Sequence, residues 1–426
     1  MSTTRTAASS LVNESDESQA RMSILIADKL EAVGVDGLKK LSPDVTHNAD
    51  VSADALPALV EQLDPDILIV RGKKVKADVF AKAKKLSLVI RGGAGYDTID
   101  VATASSRGVF VANCPGKNAI AVAELVWGLI LGTDRRIPDQ TIDLRAGKWN
   151  KKEFSKANGL YGRTLGIVGM GQIGQEVAAR GKAFGMNVVA WSRSLTEAAA
   201  DAMEVDYCSN LINLAKMSDV ISVNVAATDE TKHLINEQFL SAMRQGAMLV
   251  NTSRGSVVDE AALAKAVKER GIRTGLDVFD PEPSGGEGTI SNPILQLPGV
   301  YGTHHIGAST DQAQLAIARE VIRIASTYME TGEVMNCVNL ALTTPATTLI
   351  TVRHLNVPGV LAHIFYILSQ ARINVEDMQN IVYEGGKAAC ARIQLDDAPA
   401  AEHLKTIANN ENILSVNLSR IPNRKR

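Results

Sequence analysis

Cysteine is scarce in this sequence and does not occur in metal-binding spacing. The four cysteines lie far apart, and none forms a Cys-x-x-Cys pair; they are Cys114, Cys208, Cys337 and Cys390. This scatter is typical of single thiols and argues against a disulfide framework or a zinc site. We therefore expect no bound metal and a reducing, cytoplasmic environment.

Long apolar runs are also absent. The longest, residues 119–132, is interrupted by Glu124 and falls short of the ~18–20 residues that a bilayer-spanning helix requires. We expect this stretch to form a buried helix, and we expect no association with membranes.

Neither sign of charge dominates. The chain has 45 Lys and Arg against 47 Asp and Glu, a net charge of −2, so nothing favours a nucleic-acid partner. The start of the chain is rich in Ser, Thr and Ala but includes Glu14, Asp16 and Glu17. These acids argue against a transit peptide and indicate a disordered N-terminal tail over residues 1–22.

Two series of short apolar strands alternate with helical stretches. The first includes residues 24–27, 67–70 and 88–90, and the second runs from residues 165–168 to residues 275–278. Fully apolar strands separated by helices are typical of parallel sheets buried on both faces. We therefore predict an α/β protein with two doubly wound domains, a flavodoxin-like substrate domain and a Rossmann cofactor domain.

A third domain is predicted after a polar linker. Residues 339–348 contain Pro345 among threonines, a composition typical of a linker. Residues 349–426 then follow the order strand, helix, strand, strand, helix, strand. That order predicts a ferredoxin-like βαββαβ domain.

A glycine motif follows the first strand of the second series. Gly169, Gly171 and Gly174 form a Gly-x-Gly-x-x-Gly pattern around Gln172 and Ile173. Each glycine has a physical reason: a tight turn, close approach of a pyrophosphate to the backbone, and close packing of helix on strand. The motif between a strand and a helix therefore predicts a dinucleotide site.

The second strand of this domain lacks the usual acidic residue at its end. Ser192 stands where a carboxylate would bind the ribose 2′-hydroxyl, and Arg193 follows it. An arginine beside serines suits a 2′-phosphate, which favours NADP(H) or use of both cofactors. The alternative is that Arg193 is a solvated charge and NAD(H) binds.

Three further segments contain candidate catalytic residues; they are residues 250–255, 276–283 and 303–310. With the glycine motif, they resemble the D-isomer-specific 2-hydroxy acid dehydrogenases over residues 23–338. The resemblance implies that Arg254 holds the substrate carboxylate and polarises the carbonyl, that His305 is the general acid/base, and that Glu282 orients His305. Asp277 is expected to contact the cofactor, which the resemblance implies is NAD(H).

The chemistry independently supports these roles. A hydride leaves a secondary alcohol only if the hydroxyl proton is taken concurrently, and histidine suits that transfer near neutral pH. A carboxylate partner favours the protonated imidazole, and arginine offers a planar fork that matches a carboxylate. His304, which precedes the matching position, is expected to be a bystander.

The first domain contains the predicted substrate contacts. Residues 92–97 resemble the family loop whose backbone amides meet the substrate carboxylate, and residues 113–118 resemble the neighbouring loop. The predicted substrate-binding residues are Arg71, Lys73, Ala94, Gly95 and Asn118, of which Arg71 and Lys73 are candidates for a substrate phosphate. The resemblance also implies that the cofactor domain, residues 120–310, is inserted into a substrate domain formed by residues 23–119 and 311–338.

Residues 349–420 resemble the ACT domain found in phosphoglycerate dehydrogenases. In the serine-binding form of that domain, the positions matching His354, Asn356 and Asn374 bind the amino acid; a purely structural ACT domain is the alternative. The resemblance implies a small-molecule substrate, 3-phospho-D-glycerate, with L-serine as effector and a homo-oligomer built from dimers, either a dimer or a tetramer.

Two other functions stay open at this point. Without the third domain, a hydroxypyruvate or glyoxylate reductase and other 2-oxo acid reductases fit equally well, because the catalytic residues specify only a 2-hydroxy acid. Corepressors of the same fold act as nucleotide-sensing interaction proteins, but they lack an ACT domain.

Overall fold

The structure, a computed structural model, describes residues 22–283, 287–341 and 343–421. The predicted N-terminal tail lies outside the described residues except for Met22. The chain divides into two compact units, one ending at Asn339 and the other beginning at Leu340. The first unit contains two lobes, each built on a parallel sheet.

The first lobe has a five-stranded parallel sheet in the order β2-β1-β3-β4-β5. Its strands are β1 (Ile24–Ile26), β2 (Val45–His47), β3 (Ile67–Val70), β4 (Leu88–Arg91) and β5 (Phe110–Asn113). Its helices are α1 (Ala32–Leu41), α2 (Leu56–Leu63), α3 (Ala77–Lys82) and α4 (Val101–Ser106). All four residues of β3 are buried, as expected for a strand covered on both faces. This strand order is the predicted flavodoxin-like one.

The second lobe has a seven-stranded parallel sheet in the order β12-β11-β10-β9-β6-β7-β8. Its strands are β6 (Thr164–Val168), β7 (Asn187–Trp191), β8 (Asp206–Tyr207), β9 (Val220–Val223), β10 (Met248–Asn251), β11 (Arg273–Leu276) and β12 (Val300–Gly302). Its helices are α5 (Ala119–Arg135), α6 (Ile137–Arg145), α7 (Lys151–Phe154), α8 (Gln172–Ala183), α9 (Glu197–Ala202), α10 (Leu211–Met217), α11 (Glu237–Ala242) and α12 (Glu260–Arg270). The order reverses between β6 and β9, as in the predicted Rossmann fold, and ligands bind such sheets at this point.

Two long helices connect the lobes. The predicted buried helix is α5, whose residues Ala123, Val126 and Ile130 belong to the core of the second lobe. After the second lobe, α13 (Asp311–Thr331) returns to the first, where Ile317 and Val321 pack in its core. Both ends of the second lobe are therefore joined to the first.

The strands that the sequence did not predict lie at the sheet edges. They are β2 and β5 in one sheet, and β8 and β12 in the other. All four are only two to four residues long, and β2, β8 and β12 are largely uncovered, whereas β5 is mostly buried. Strands this short give too brief a pattern to be distinguished from loops in the sequence.

The second unit is a four-stranded antiparallel sheet in the order β14-β15-β13-β16. Its elements are β13 (Thr348–Leu355), α14 (Val360–Gln370), β14 (Val375–Val382), β15 (Ala388–Leu395), α15 (Ala401–Ala408) and β16 (Ile413–Arg420). Every second residue of β13 is buried, and Ile350 packs against Ile364 of α14. This is the predicted ferredoxin-like arrangement.

Among the described residues, no helix combines the length and apolarity needed to cross a membrane. Within the same ranges, no group of three or more His, Cys, Asp or Glu side chains is placed to hold a metal ion. The four cysteines are free thiols.

Candidate active site

The glycine motif forms the turn between β6 and α8. Gly169 has a φ of +97°, which side chains rarely allow. A Cβ on Gly174 would lie 2.1 Å from the carbonyl oxygen of Gly169, so only glycine lets the helix approach the strand this closely. Gly171 is the N-cap residue of α8 and is followed by Gln172 and Ile173.

The space above this turn fits the pyrophosphate of a dinucleotide. No atom lies within 4 Å of the position that a Cβ on Gly171 would take. The first amides of a helix have no intrahelical partner, and the helix dipole favours an anion there. The side-chain oxygen of Gln172 closes one side of this space, since it lies 1.4 Å from where a Cβ on Gly116 of the other lobe would stand.

At the end of β7, Arg193 has a partner that neither interpretation of the sequence included. Arg193 forms an ion pair with Glu230, which belongs to a 3-10 turn (Asp229–Thr231) after β9. Ser192 is partly exposed. The charge of Arg193 is therefore already paired with a carboxylate. The use of NADP(H) stays a prediction.

The predicted acid/base pair is formed. The Nδ1 atom of His305 lies 2.7 Å from Oε2 of Glu282, and the other oxygen of Glu282 accepts a hydrogen bond from the Phe279 amide at 3.1 Å. Burial raises the pKa of Glu282. The hydrogen bonds from His305 and Phe279 and the charge of Arg254 lower it by more than burial raises it, so its net pKa is below the usual value. Glu282 is therefore an anion that holds the imidazole ring by one nitrogen and leaves Nε2 for a substrate.

Asp277 anchors the loop that contains His305. Asp277 is 1% exposed, and its carboxylate accepts hydrogen bonds from the Thr303 hydroxyl at 2.6 Å and from the amides of Ile306 and Gly307, each at 2.9 Å. His305 has a φ of +53°, an uncommon conformation for a residue other than glycine, and these bonds fix the residues on either side of it. The predicted cofactor contact of Asp277 stays a prediction, whereas its positioning role is seen directly.

Arg254 is held by a carboxylate from the opposite lobe. Its Nη2 and Nε atoms donate to the two oxygens of Asp97 at 2.9 and 3.2 Å, and Nη1 donates to the Ser253 carbonyl at 2.7 Å. Three of its five N–H donors are thus used, and two remain for a substrate carboxylate. Burial raises the pKa of Asp97, but the bonds and charge of Arg254 outweigh burial and lower it overall. The sequence did not indicate Asp97 as a partner because the two residues lie far apart in the chain.

A second arginine, Arg91, was also missed. It ends β4, and its Nη1 atom lies 1.5 Å from where a Cβ on Gly93 would stand. Burial, followed by the charges of Arg254 and Arg71, lowers the pKa of Arg91 to about 10, although Asp97 acts in the opposite direction. Its Nε is buried without a hydrogen-bond partner among the described residues. An arginine at the carboxyl end of a buried strand, beside a glycine-rich loop, was the signal in the sequence.

Comparison with known proteins decides the family. The profile of the D-isomer specific 2-hydroxyacid dehydrogenase, NAD binding domain, matches residues 127–307. A hydroxypyruvate reductase of Thermotoga maritima is 38% identical over 305 residues, which cover 71% of this chain and 97% of that protein. The chain belongs to the D-isomer-specific 2-hydroxyacid dehydrogenases.

Further relatives of this dehydrogenase have related activities. A D-3-phosphoglycerate dehydrogenase of Methanocaldococcus jannaschii is 43% identical over 261 residues, which cover 61% of this chain; the match spans only about half, 49%, of that relative. A solved NADPH-dependent glyoxylate/hydroxypyruvate reductase from Sinorhizobium meliloti, in complex with NADP and malonate, has a TM-score of 0.65 at 29% identity and covers 75% of this chain and 97% of that one. The dehydrogenase accordingly binds a nicotinamide cofactor.

The remaining predicted substrate contacts differ in whether their polar atoms already have hydrogen-bond partners. In the part of the chain that the structure describes, the amides of Ala94 and Gly95 donate to no backbone carbonyl, and the side-chain oxygen of Asn118 is buried without a partner. Lys73 has a structural role instead, because its ammonium donates to the Ala49 carbonyl at 2.8 Å and lies 3.5 Å from Asp28.

The predicted serine-binding residues of the dehydrogenase do not meet within one chain. His354 is buried, with its ring nitrogens 2.8 Å from the Leu355 carbonyl and 3.1 Å from Oδ1 of Asn380. Asn356 follows the end of β13, whereas Asn374 precedes the start of β14. Both strands pair antiparallel to β15 and so run in the same direction. These two asparagines are therefore separated by the length of an eight-residue strand, about 26 Å.

Proposed function

We propose that this dehydrogenase is a D-3-phosphoglycerate dehydrogenase, which transfers a hydride between 3-phospho-D-glycerate and a nicotinamide cofactor. The observation that supports this substrate is the group of three arginines, Arg71, Arg91 and Arg254, around residues 92–97. Each of the other two is close enough to Arg91 to lower its pKa. The family of the chain is established, and the identity of its substrate is what we propose.

The guanidinium groups of these arginines match a substrate with two anionic ends. Arg254 and Arg91 act on the carboxylate of Asp97, Arg254 also acts on that of Glu282, and Arg71 is close to Arg91. Three guanidinium groups against two carboxylates leave an excess of one positive charge in a partly buried cleft. Unpaired buried charges are costly, so an anionic ligand is needed to balance them. A substrate carboxylate uses Arg254, and a phosphate, with its three acceptor oxygens, uses Arg91 and Arg71. A substrate with one carboxylate alone leaves a buried guanidinium without an acceptor.

The residues of the site perform the proton transfer. The bound cofactor supplies the position that accepts or returns a hydride. In the oxidising direction, Nε2 of His305 takes the proton of the C2 hydroxyl as the C2 hydride departs, and a C2 carbonyl forms. The anionic Glu282 stabilises the resulting imidazolium. The proton then leaves to solvent, so that the alcohol and oxidised cofactor yield the 2-oxo acid, reduced cofactor and a proton.

A reductase for a smaller 2-oxo acid is the second candidate. It is favoured by the hydroxypyruvate reductase of Thermotoga maritima, since the match spans 97% of that protein. Hydroxypyruvate has the same carbon chain without the phosphate. The two functions therefore differ in whether Arg91 and Arg71 bind an anion.

The experiment compares 3-phosphohydroxypyruvate with hydroxypyruvate in the wild type and in Arg91→Met. A lost charge-assisted hydrogen bond predicts a roughly 10- to 100-fold lower kcat/KM with the phosphorylated substrate, and a change within threefold for hydroxypyruvate. Arg107→Met is the control, because Arg107 is an exposed arginine of the same lobe. A wild type that prefers hydroxypyruvate, or a variant that loses both activities equally, contradicts the proposal.

The proposal includes regulation and assembly. The ferredoxin-like unit binds L-serine at residues His354, Asn356 and Asn374, and serine inhibits the first step of its own synthesis. Because Asn356 and Asn374 lie at opposite ends of the sheet, two chains are needed to complete the site, which supports a homo-oligomer built from dimers. A cytoplasmic location is part of the same proposal, and it is supported by the metabolic enzymes among the relatives.

A further inference from the structure

The ion pair between Arg193 and Glu230 lies across the dinucleotide crevice. Arg193 follows β7, and Glu230 follows β9. In the sheet, β7 and β9 lie on either side of β6, and the carboxyl end of β6 continues into the glycine turn. The pair therefore joins the two loops that border this turn.

The turn that holds Glu230 is fixed by its own hydrogen bonds. The Thr228 amide donates to the Thr231 hydroxyl at 2.8 Å, and that hydroxyl donates to the Ala226 carbonyl at 2.7 Å. Thr231 is buried, whereas the side chains of Arg193 and Glu230 are 60% and 71% exposed. The backbone thus presents a carboxylate to the end of β7 from a defined position, and both side chains stay accessible to a ligand.

We propose that Glu230 is a cofactor-specificity residue that replaces the acid missing from β7. In this fold a carboxylate at the end of the second strand binds the ribose 2′-hydroxyl, and here Ser192 occupies that position. Glu230 brings a carboxylate beside that position by pairing with Arg193. It takes over the repulsion of a 2′-phosphate but not the hydrogen bond to the ribose 2′-hydroxyl, so the binding of NAD(H) does not depend on it.

A 2′-phosphate is disfavoured for two reasons. It carries a charge of about −1.5 to −2 and needs the arginine fork for its oxygens, so it must displace Glu230 from Arg193. The displaced carboxylate then stays close to the phosphate and repels it. An exposed ion pair is weak, so Glu230 shifts the preference between cofactors without excluding NADP(H). This inference concerns the cofactor alone and is independent of the proposed substrate.

The test measures dissociation constants of NADH and NADPH for the full chain without substrate, by isothermal titration calorimetry. Glu230→Gln frees Arg193 and removes the negative charge, so NADPH binds roughly tenfold more tightly, while NADH stays within twofold. Glu237→Gln is the matched control. Glu237 also forms an exposed ion pair, with Lys265 at 2.8 Å, and its replacement leaves both constants unchanged.

A second variant distinguishes the contributions of Arg193 and Glu230 to the affinity for NADPH. Combining Glu230→Gln with Arg193→Met removes the gain in NADPH affinity, because no guanidinium remains to bind the phosphate. If Glu230→Gln changes the ratio of NADPH affinity to NADH affinity by less than twofold from the wild type, the inference is overturned. Retention of the full gain in the double variant overturns the role of Arg193. Because substrate is absent, failure here leaves the proposed substrate unaffected.

Discussion

His305 is a residue whose function depends on one ring nitrogen. Its Nδ1 is bound to Glu282, and the hydrogen bonds to Glu282 keep the pKa of that carboxyl low. Glu282 therefore stays ionised throughout the neutral range and keeps the ring oriented. Only Nε2 is left to exchange a proton with the substrate hydroxyl.

We predict that His305→Asn lowers kcat by roughly 10²- to 10⁴-fold, because an amide cannot act as an acid or base near neutral pH. The dissociation constant of the dinucleotide should change little, since the glycine turn is untouched. Steady-state kinetics and calorimetry measure these two quantities. His304→Asn is the control, as His304 is an exposed neighbour, and it should be mild. Near-normal turnover of His305→Asn would falsify the role.

Sequence could locate the residues of local motifs but not their distant partners. Arg254, Glu282 and His305 were predicted because each stands in a recognisable segment. Asp97 and Glu230 were missed, since their importance comes from arginines that only the fold brings close. Arg91 is different, because its place at the carboxyl end of an apolar strand beside a glycine-rich loop was a signal in the sequence, although its burial was not.

At the scale of elements, one carboxylate joins two strand ends of the first lobe. Asp28 follows β1, and its Oδ2 atom accepts hydrogen bonds from the amides of Arg71, Gly72 and Lys73 at 2.8–3.0 Å. Burial raises the pKa of Asp28, but these bonds and the Lys73 ammonium lower it more, so its net pKa is below the usual value. The loop that contains Arg71 is thus held by a charge.

We predict that Asp28→Asn destabilises the first unit by about 1–3 kcal/mol at pH 7, because a neutral amide oxygen replaces the charged acceptor of three backbone amides and loses the attraction to Lys73. Because the folded pKa is depressed, the stabilisation is complete above the unfolded pKa of about 4 and is lost as pH falls through the folded pKa. The difference between wild type and variant should therefore shrink below about pH 4. Denaturant unfolding followed by circular dichroism, at a series of pH values, measures it.

The control for this prediction is Asp36→Asn. Asp36 is an exposed residue of α1, so the same change of charge should leave stability and its pH dependence nearly unaltered. A constant difference between wild type and Asp28→Asn from pH 7 to pH 3 would show that the hydrogen bonds of Asp28 do not depend on its ionisation.

At the scale of the whole molecule, periodicity predicted the architecture but not its full extent. Interior strands such as β3, β9 and β10 are buried along their whole length, and their apolar composition made them visible in the sequence. Long elements of the second unit, such as α14, were also predicted. The number of copies in the assembly could not be predicted in this way, because the periodicity of one chain does not depend on how many copies combine.

The last prediction concerns serine as an inhibitor. Asn356 and Asn374 are exposed and lie at opposite ends of one sheet, so in the proposed site L-serine binds where the end of β13 in one chain meets the start of β14 in another. Binding then favours one arrangement of subunits, and a coupling free energy of ~1–3 kcal/mol changes activity about 5- to 150-fold.

We expect millimolar L-serine to inhibit the wild type, and Asn356→Ala to relieve this inhibition without altering uninhibited turnover. His354→Ala should also relieve it, but burial of His354 makes this variant prone to destabilisation, so Asn356→Ala is decisive. Asn417→Ala, an exposed asparagine of β16, is the matched control and should stay sensitive to serine. If the wild type is unaffected, or if Asn356→Ala is inhibited equally, the domain is not a serine sensor of this kind.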